Sequence, residues 1–501
     1  MFQEISFVVA AVLITYLLWS FINKAKAKPQ MPPCPNPIPI FGNMFTMLKW
    51  ISEKKLHIEL IRLAKMYGGK LFTLKIPGQD ILVVNSASTA REAMLKKRDV
   101  FAGRPFGFTF DFLSRNSKSV AAQDFNPTLL LQRKIVLSAI RSYQPKLEEK
   151  VIKEVNELVK RLTAYQEKPI DPTHEIALTV MNVICAMVFG DRYELADPEF
   201  SKIFDSYKIL FANIGLLNSL NVFPFLIHFP IKDSINLKSA VKHRDEYLNR
   251  KYYEHQRSYK EGTIRDMTDA LIKALKEAEQ EDIKVRTQIT EDHVVMTMND
   301  TFAAGMETTS VQILWFLYFM IRHPDIQEKV QEELDTVLGK DSYAGWEDRT
   351  RLNYTFATIQ EVARLATLAP IALPRKTTKD CTLEGYHIPK DTSVFFNIMA
   401  LHLDENEWKD PLVLNPERFL DDEGKLIPVA NLKSFYPFGG GRRICPGENL
   451  ANQEVFMISS RLLQKFTLEA VVQSSDLPLH GEMIAINHQP VPFKVRFKER
   501  A

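Results

Sequence analysis

Apolar residues in this chain fall into one uncharged run near the start, a series of helical stripes, and two short groups of strand-like segments. Residues 5–22 are eighteen positions without a charge, just long enough to cross a hydrocarbon core as a helix. Glu4 precedes the run, and Lys24, Lys26 and Lys28 follow it. A cleaved signal peptide carries its positive charges before the apolar stretch, so this pattern predicts a retained single-pass anchor. The lysine flank should stay cytosolic, together with the bulk of the chain. Six prolines between positions 29 and 39, closed by Phe41, Gly42 and Asn43, predict a stiff hinge, because proline fixes φ and cannot continue a helix. A second uncharged run, residues 209–231, is interrupted by Asn213, Gly215, Asn218, Asn221, Pro224 and Pro230. It reads either as a helix-loop-helix lying on the membrane surface or as a buried loop of the core.

The body is mostly helical in its patterning. Leu56, Ile58, Leu60, Ile61 and Leu63 give residues 53–67 a helical stripe, and residues 71–76 and 81–84 flank a Pro77-Gly78 turn as a hairpin. Helical spacing then dominates from 86 to 322, with 240–284 dense in mixed charge and expected to be solvated surface helix. Thr290, Glu291 and Asp292 are a helix start, and His323-Pro324 a stop. The helix between them spans about 32 residues, ~48 Å. Positions 294–319 within it are apolar nearly all round, which predicts burial. Short strands return over 379–396 around a Glu384-Gly385 turn. The expectation is a mainly α protein with minor β structure: anchor and basic flank over 1–28, hinge over 29–43, and one large helical domain over 44–501.

Composition narrows the function. Among 501 residues, 64 Lys and Arg oppose 61 Asp and Glu for a net +3, and no basic stripe marks a nucleic-acid binder. Four cysteines (Cys34, Cys185, Cys381, Cys445) lie far apart without a C-x-x-C pair, which excludes a disulfide framework and a thiolate zinc site. One of them has unusual surroundings. Residues 438–447 read Phe-Gly-Gly-Gly-Arg-Arg-Ile-Cys-Pro-Gly, where the glycines permit close backbone approach. Cys445 precedes a helical segment (448–466), so free N–H groups and the dipole's positive end are expected to lower its pKa. From the residues alone, a stabilised thiolate faces something flat, either a nucleophile's substrate or a metal.

The run fits Phe-x-x-Gly-x-Arg-x-Cys-x-Gly and resembles the haem-binding signature of the cytochrome P-450 superfamily. Three further stretches resemble motifs of that family, in its order: Ala304-Gly305-Met306-Glu307-Thr308-Thr309 midway along the long helix, Glu361-Val362-Ala363-Arg364, and Pro416-Glu417-Arg418-Phe419. The resemblance implies the large single helical cytochrome P-450 fold, an N-terminal transmembrane helix and a haem b cofactor. Cys445 would be the axial ligand, a thiolate whose electron density favours O–O cleavage. Phe438, Gly441 and Gly447 would shape the haem loop. Arg443, Arg375, Arg104 and Arg133 would face the haem propionates, and Glu361, Arg364 and Arg418 would form a structural ion network. Glu307 and Thr308 would deliver protons, while Ala304 and Gly305 would let the helix widen around O2. One departure stands out: Leu129 and Leu130 occupy places where microsomal members carry Trp and Arg, so either haem retention is weaker or another donor compensates.

The resemblance further implies an endoplasmic reticulum enzyme with a cytosolic catalytic domain, closest in its motifs to the branch of steroid 17-hydroxylases and xenobiotic oxidisers. It would take electrons from NADPH through a membrane reductase docking near Lys134, Lys433 and Arg442, possible partnership with cytochrome b5 being left open. Walls carried over by position are residues 106–114, Phe302 to Ala304, 371–373 and 483–486; these are mostly apolar, which suits a sterol, fatty acid or xenobiotic. A haem isomerase or lyase, and a non-catalytic haem protein, are the alternatives.

Overall fold

The computed structural model describes residues 31–215, 218–280, 289–339 and 342–500. The uncharged segment 5–22 and its lysine flank lie outside the described residues. Among the described residues no helix is long and apolar enough to cross a membrane.

Two short helices begin the body, α1 (Met44–Ser52), which the pattern did not predict, and α2 (Leu56–Met66). The latter buries Leu56, Leu60, Leu63 and Ala64 along one stripe. The expected hairpin follows as β1 (Leu71–Ile76) and β2 (Gln79–Val84), paired antiparallel from Leu71↔Val84 to Ile76↔Gln79. Next come α3 (Ala87–Arg91), α4 (Phe108–Leu113) and the long α5 (Pro127–Ala164), with Asn126 accepting the Leu129 N–H at 2.9 Å as its cap. The helices α6 (Thr173–Val188), α7 (Pro198–Ala212), α8 (Ser219–Val222), α9 (Lys232–Ser258) and α10 (Met267–Gln280) complete the first half. The charged stretch expected to be solvated is therefore two helices. Of these, α9 buries Leu237, Tyr247, Leu248 and Tyr252, because mixed charge on one face does not prevent an apolar stripe on the other.

The central helix α11 (Glu291–Arg322) has the 32 residues and both ends that the sequence predicts. Its first turn is closed by the Thr290 N–H donating to His293 Nδ1 at 3.1 Å. About two thirds of its side chains are buried, against α6, α10 and later elements. These later elements are α12 (Pro324–Leu338), α13 (Asn353–Ala366), β3 (Arg375–Lys376), β4 (Cys381–Leu383), β5 (Tyr386–Ile388), β6 (Ser393–Phe396), α14 (Ile398–His402), α15 (Glu448–Lys465), β7 (Phe466–Ala470), β8 (Glu482–Ile484), β9 (Asn487–Gln489) and β10 (Val495–Glu499). One sheet runs in the order β1-β2-β6-β3, so residues more than 300 apart in sequence share it. Its edge strand carries Arg375, which reaches the Gly440 carbonyl; β7 pairs with β10, and β8 with β9. The main apolar core lies between α5, α6, α11, α13 and α15.

Candidate active site

The cysteine loop is held by its own backbone and by its glycines. The Cys445 N–H donates to the Phe438 carbonyl at 3.0 Å, closing the loop on itself. Gly441 has φ +69°, and a Cβ there would lie 2.0 Å from the Met94 carbonyl oxygen, so only glycine fits. Gly447 ends the loop as the residue before α15, and its N–H donates to the Cys445 sulfur. The loop's remaining geometry points Cys445 to an accessible surface.

The structure changes the expected electrostatics of that sulfur. Desolvation by the surrounding protein pushes the Cys445 thiol up; the Gly447 N–H and the Arg133 charge oppose this without overcoming it. One N–H at a helix start and one nearby charge do not offset the cost of the surrounding protein, although the residue keeps an accessible side. A metal ion at the sulfur reverses that balance, since a coordinating thiol is deprotonated outright.

Four guanidinium groups converge around the loop. Arg443 donates to the carbonyls of Ala102 and Gln123, both at 2.7 Å, and Arg375 donates to Gly440 at 2.9 Å. Arg104 donates from Nε to Ala121 at 2.7 Å, and Arg133 donates to Ile444 at 2.6 Å. Burial, then mutual repulsion, lowers Arg104 and Arg375 to about 9 and Arg443 to about 8. Asp124 and Asp300 offset part of this positive charge without forming an ion pair with these arginines, so the cluster suits further anionic partners.

The second group of candidate residues lies on α11. Most of this helix is buried, yet Thr301, Ala304, Gly305 and Thr308 retain accessible surface and recur at helical spacing as one stripe. The Thr308 hydroxyl donates to the Ala304 carbonyl at 2.6 Å. Glu307, one position earlier, turns elsewhere: its Oε1 accepts from Gln489 Nε2 at 3.0 Å, and the Asn487 amide also donates to it. Burial raises the Glu307 pKa, while these amides and Lys208 oppose the rise. The helix is α-helical through this stretch with no widened turn. Gly305 also lets α11 approach α6 closely, since a Cβ there would fall 2.8 Å from Ile184 Cδ1 and that side chain would have to shift. Phe302 is fully buried against Phe189, Tyr207 and Tyr247, so it belongs to the core and is not a wall of the site.

A family model described as Cytochrome P450 matches residues 32–497. The chain belongs to the cytochrome P450 family. It is 35% identical to a steroid 17-alpha-hydroxylase/17,20 lyase from Rana dybowskii, over 96% of this chain and 93% of that protein. Against the protein of the same name from Gallus gallus identity is 35%, over 93% of this chain and 92% of the other. A cytochrome P450 2U1 from Rattus norvegicus is 30% identical over 97% of this chain and 94% of its own length.

This P450 is a haem-dependent monooxygenase, an oxidoreductase that uses O2. Its residues suit haem b on chemical grounds independent of the match. Cys445 is exposed in its glycine loop, and the buried Arg104 and Arg375 beside it form no ion pair with a carboxylate among the described residues. Two propionates would supply the missing charge by bidentate pairing. Leu129 is fully buried and Leu130 exposed, so neither replaces a donor.

Sequence reasoning missed two sets of polar residues here. Asp300, one turn before Ala304, accepts the Ala121 N–H at 2.9 Å and so steadies the segment whose carbonyl holds Arg104. Burial lifts Asp300 to about 6. The amides on Glu307 were the other omission; no spacing rule links them, because they come from a hairpin about 180 residues later.

Proposed function

We propose that this chain is a membrane-anchored monooxygenase that inserts one oxygen atom from O2 into a steroid or similarly lipophilic molecule, with electrons from NADPH through a reductase. The observation that carries this reading is Cys445, exposed in its glycine loop amid four arginines. The names of the relatives favour a steroid within the lipophilic class. When bound at Cys445, haem would supply the activation of O2, and the Cys445 thiolate would supply the electron density that favours O–O cleavage. The chain's own residues exclude water, hold the ring's acids and move protons. Arg104, Arg133, Arg375 and Arg443 would hold the propionates. The Thr308 hydroxyl would keep a water in place, and Glu307 would pass protons to it from solvent.

A proton relay is useful to a monooxygenase and superfluous to an enzyme that rearranges a peroxide without external electrons. The Glu307-Thr308 pair therefore favours monooxygenation over the isomerase or lyase reading. The test is NADPH consumption by purified enzyme with reductase and a panel of sterols, fatty acids and xenobiotics. Turnover that tracks a steroid supports the proposal; product formed only from added organic peroxide, without NADPH, would reject it. In Thr308→Ala, product formed per NADPH should fall roughly tenfold or more, with hydrogen peroxide in its place. An unchanged ratio would remove Thr308 from the relay.

Lys134 and Lys433 are exposed and could meet an acidic reductase face or cytochrome b5, whereas Arg442 is already paired with Asp99 at 2.6 Å. The endoplasmic reticulum reading draws on a further surface. Ile38, Ile40, Phe41 and Phe45 are exposed, as are Phe223, Phe225 and Phe229. Val222, just before the second set, packs on the same cluster as Met47 and Trp50 of α1, so both sets border one region of the molecule. Such a patch suits the acyl boundary of a bilayer. In a chain shortened to 31–501, Phe225→Ser with Phe229→Ser should cut vesicle partitioning on the order of 100-fold, at ~1.5 kcal/mol per ring. Partitioning equal to that of the unsubstituted shortened chain would detach this face from the membrane.

A further inference from the structure

Glu307 and Thr308 are consecutive on a continuous α-helix, so their side chains leave the axis about 100° apart. In this structure they share no bond. The hydroxyl is spent on Ala304, and the carboxylate is spent on the β8–β9 hairpin. Asn487 and Gln489 are two apart on β9 and so present their amides on one face, toward α11. The residue between them fixes the strand from the other side. His488 donates its backbone N–H to Leu368 at 2.8 Å, accepts the Trp315 indole N–H on its carbonyl at 2.9 Å, and accepts the Gly481 N–H on Nε2 at 3.0 Å. Gly481 has no room for a side chain, since a Cβ would sit 2.7 Å from the Trp315 ring. The two amides are thus offered to Glu307 by a strand anchored at His488 and Gly481.

We infer that Asn487 and Gln489 are positioning residues that hold the Glu307 carboxylate turned away from Thr308 and set the pH at which it exchanges a proton. This rests on the relay reading of Glu307 and adds to it the part that stores and releases the acid. An amide N–H donates only to a carboxylate lone pair, so the clamp favours the charged form. Lys208 of α7 acts in the same direction, and burial acts against both. The proton balance is simple. Glu307 takes a proton from solvent, lets go of the amides as its charge is lost, swings toward Thr308, gives that proton to the water held there, and returns to the amides as an anion.

The test is an infrared pH titration of the haem-loaded enzyme, following the protonated-carboxyl band that disappears in Glu307→Gln. In Gln489→Met the midpoint should rise by about one to two pH units, the worth of one charge-assisted hydrogen bond. In Gln489→Lys, which keeps a donor, it should stay at or below the wild-type value. Asn487→Leu removes the second donor and should raise the midpoint independently. Midpoints unchanged in both Gln489→Met and Asn487→Leu would overturn the clamp. The pH profile of product per NADPH, measured on the same samples, separates the two levels. If the band moves while Glu307→Gln leaves that ratio intact, the clamp stands and the relay reading fails.

Discussion

Cys445→Ser should abolish the thiolate-type red-shifted Soret band of the reduced carbon monoxide complex and reduce NADPH-dependent turnover below detection. Oxygen in place of sulfur keeps the size and removes the soft, electron-donating ligand. Loss of even an outer partner of a metal ligand typically costs ~10–100-fold in metal affinity, so loss of the ligand itself should exceed that. The other thiols provide the controls. Cys185 is fully buried and its thiol is pushed far up by desolvation, while Cys34 and Cys381 are half-buried with thiols also raised by burial. Serine at any of those three should leave the band in place. A red-shifted band surviving in Cys445→Ser would mean that iron is bound elsewhere, and the arginine cluster would then need another purpose.

How much of this was legible in the sequence depends on the range over which each feature is encoded. The ends of α11 are written locally, in Thr290, Glu291 and His323-Pro324, and they lie where the residues put them. The hairpin at Pro77-Gly78 is equally local. The loop at Cys445 is a ten-residue pattern whose glycines answer to contacts with Met94 and Arg375, and it too could be read. What could not be read is assembled from distant parts. α1 is short and its burial depends on β1 and β6 neighbours in the same cluster. Arg104, Arg375 and Arg443 are brought together by long-range contacts, the bridge between Gly103 and Lys376 next to Arg375 and the bond from Arg443 to the Ala102 carbonyl. The clamp on Glu307 depends on a hairpin whose place is fixed by Trp315 and Leu368. The direction of the Cys445 shift depends on how many atoms crowd the sulfur, a quantity no motif carries. Nor could the purpose of Gly305 be seen without Ile184 beside it.

Glu361→Gln should destabilise the fold by about 3–5 kcal/mol and shorten haem retention, because it strands a buried arginine. The side chains of Glu361 and Arg364 are fully buried, and they form two parallel bonds of 2.7 Å. Arg418 Nε adds a contact to the same carboxylate at 3.2 Å, and the Asn415 N–H donates to it at 3.0 Å. Arg364 then reaches the carbonyls of His402 and Pro411 at 2.7 and 2.8 Å, fixing the end of α14. His402 is held neutral, its pKa lowered to about 3 by burial and by Arg364. Its Nε2 can therefore accept the Tyr436 N–H at 2.9 Å, leaving Nδ1–H for the Thr367 hydroxyl at 2.8 Å. Tyr436 accepts the Gly439 N–H at 3.0 Å, and Phe438 accepts from Cys445. A chain of bonds thus runs from the ion pair to the sulfur, and loss of the carboxylate should loosen both ends. The measurements are the denaturant midpoint and the rate of haem transfer to an excess of apomyoglobin. Glu361→Gln should lower the first and raise the second, and Arg364→Lys, which forfeits the paired bonds, should do both to a smaller degree. If stability fell while haem transfer stayed at the wild-type rate, the triad would brace the body of the protein without reaching the cysteine loop through His402.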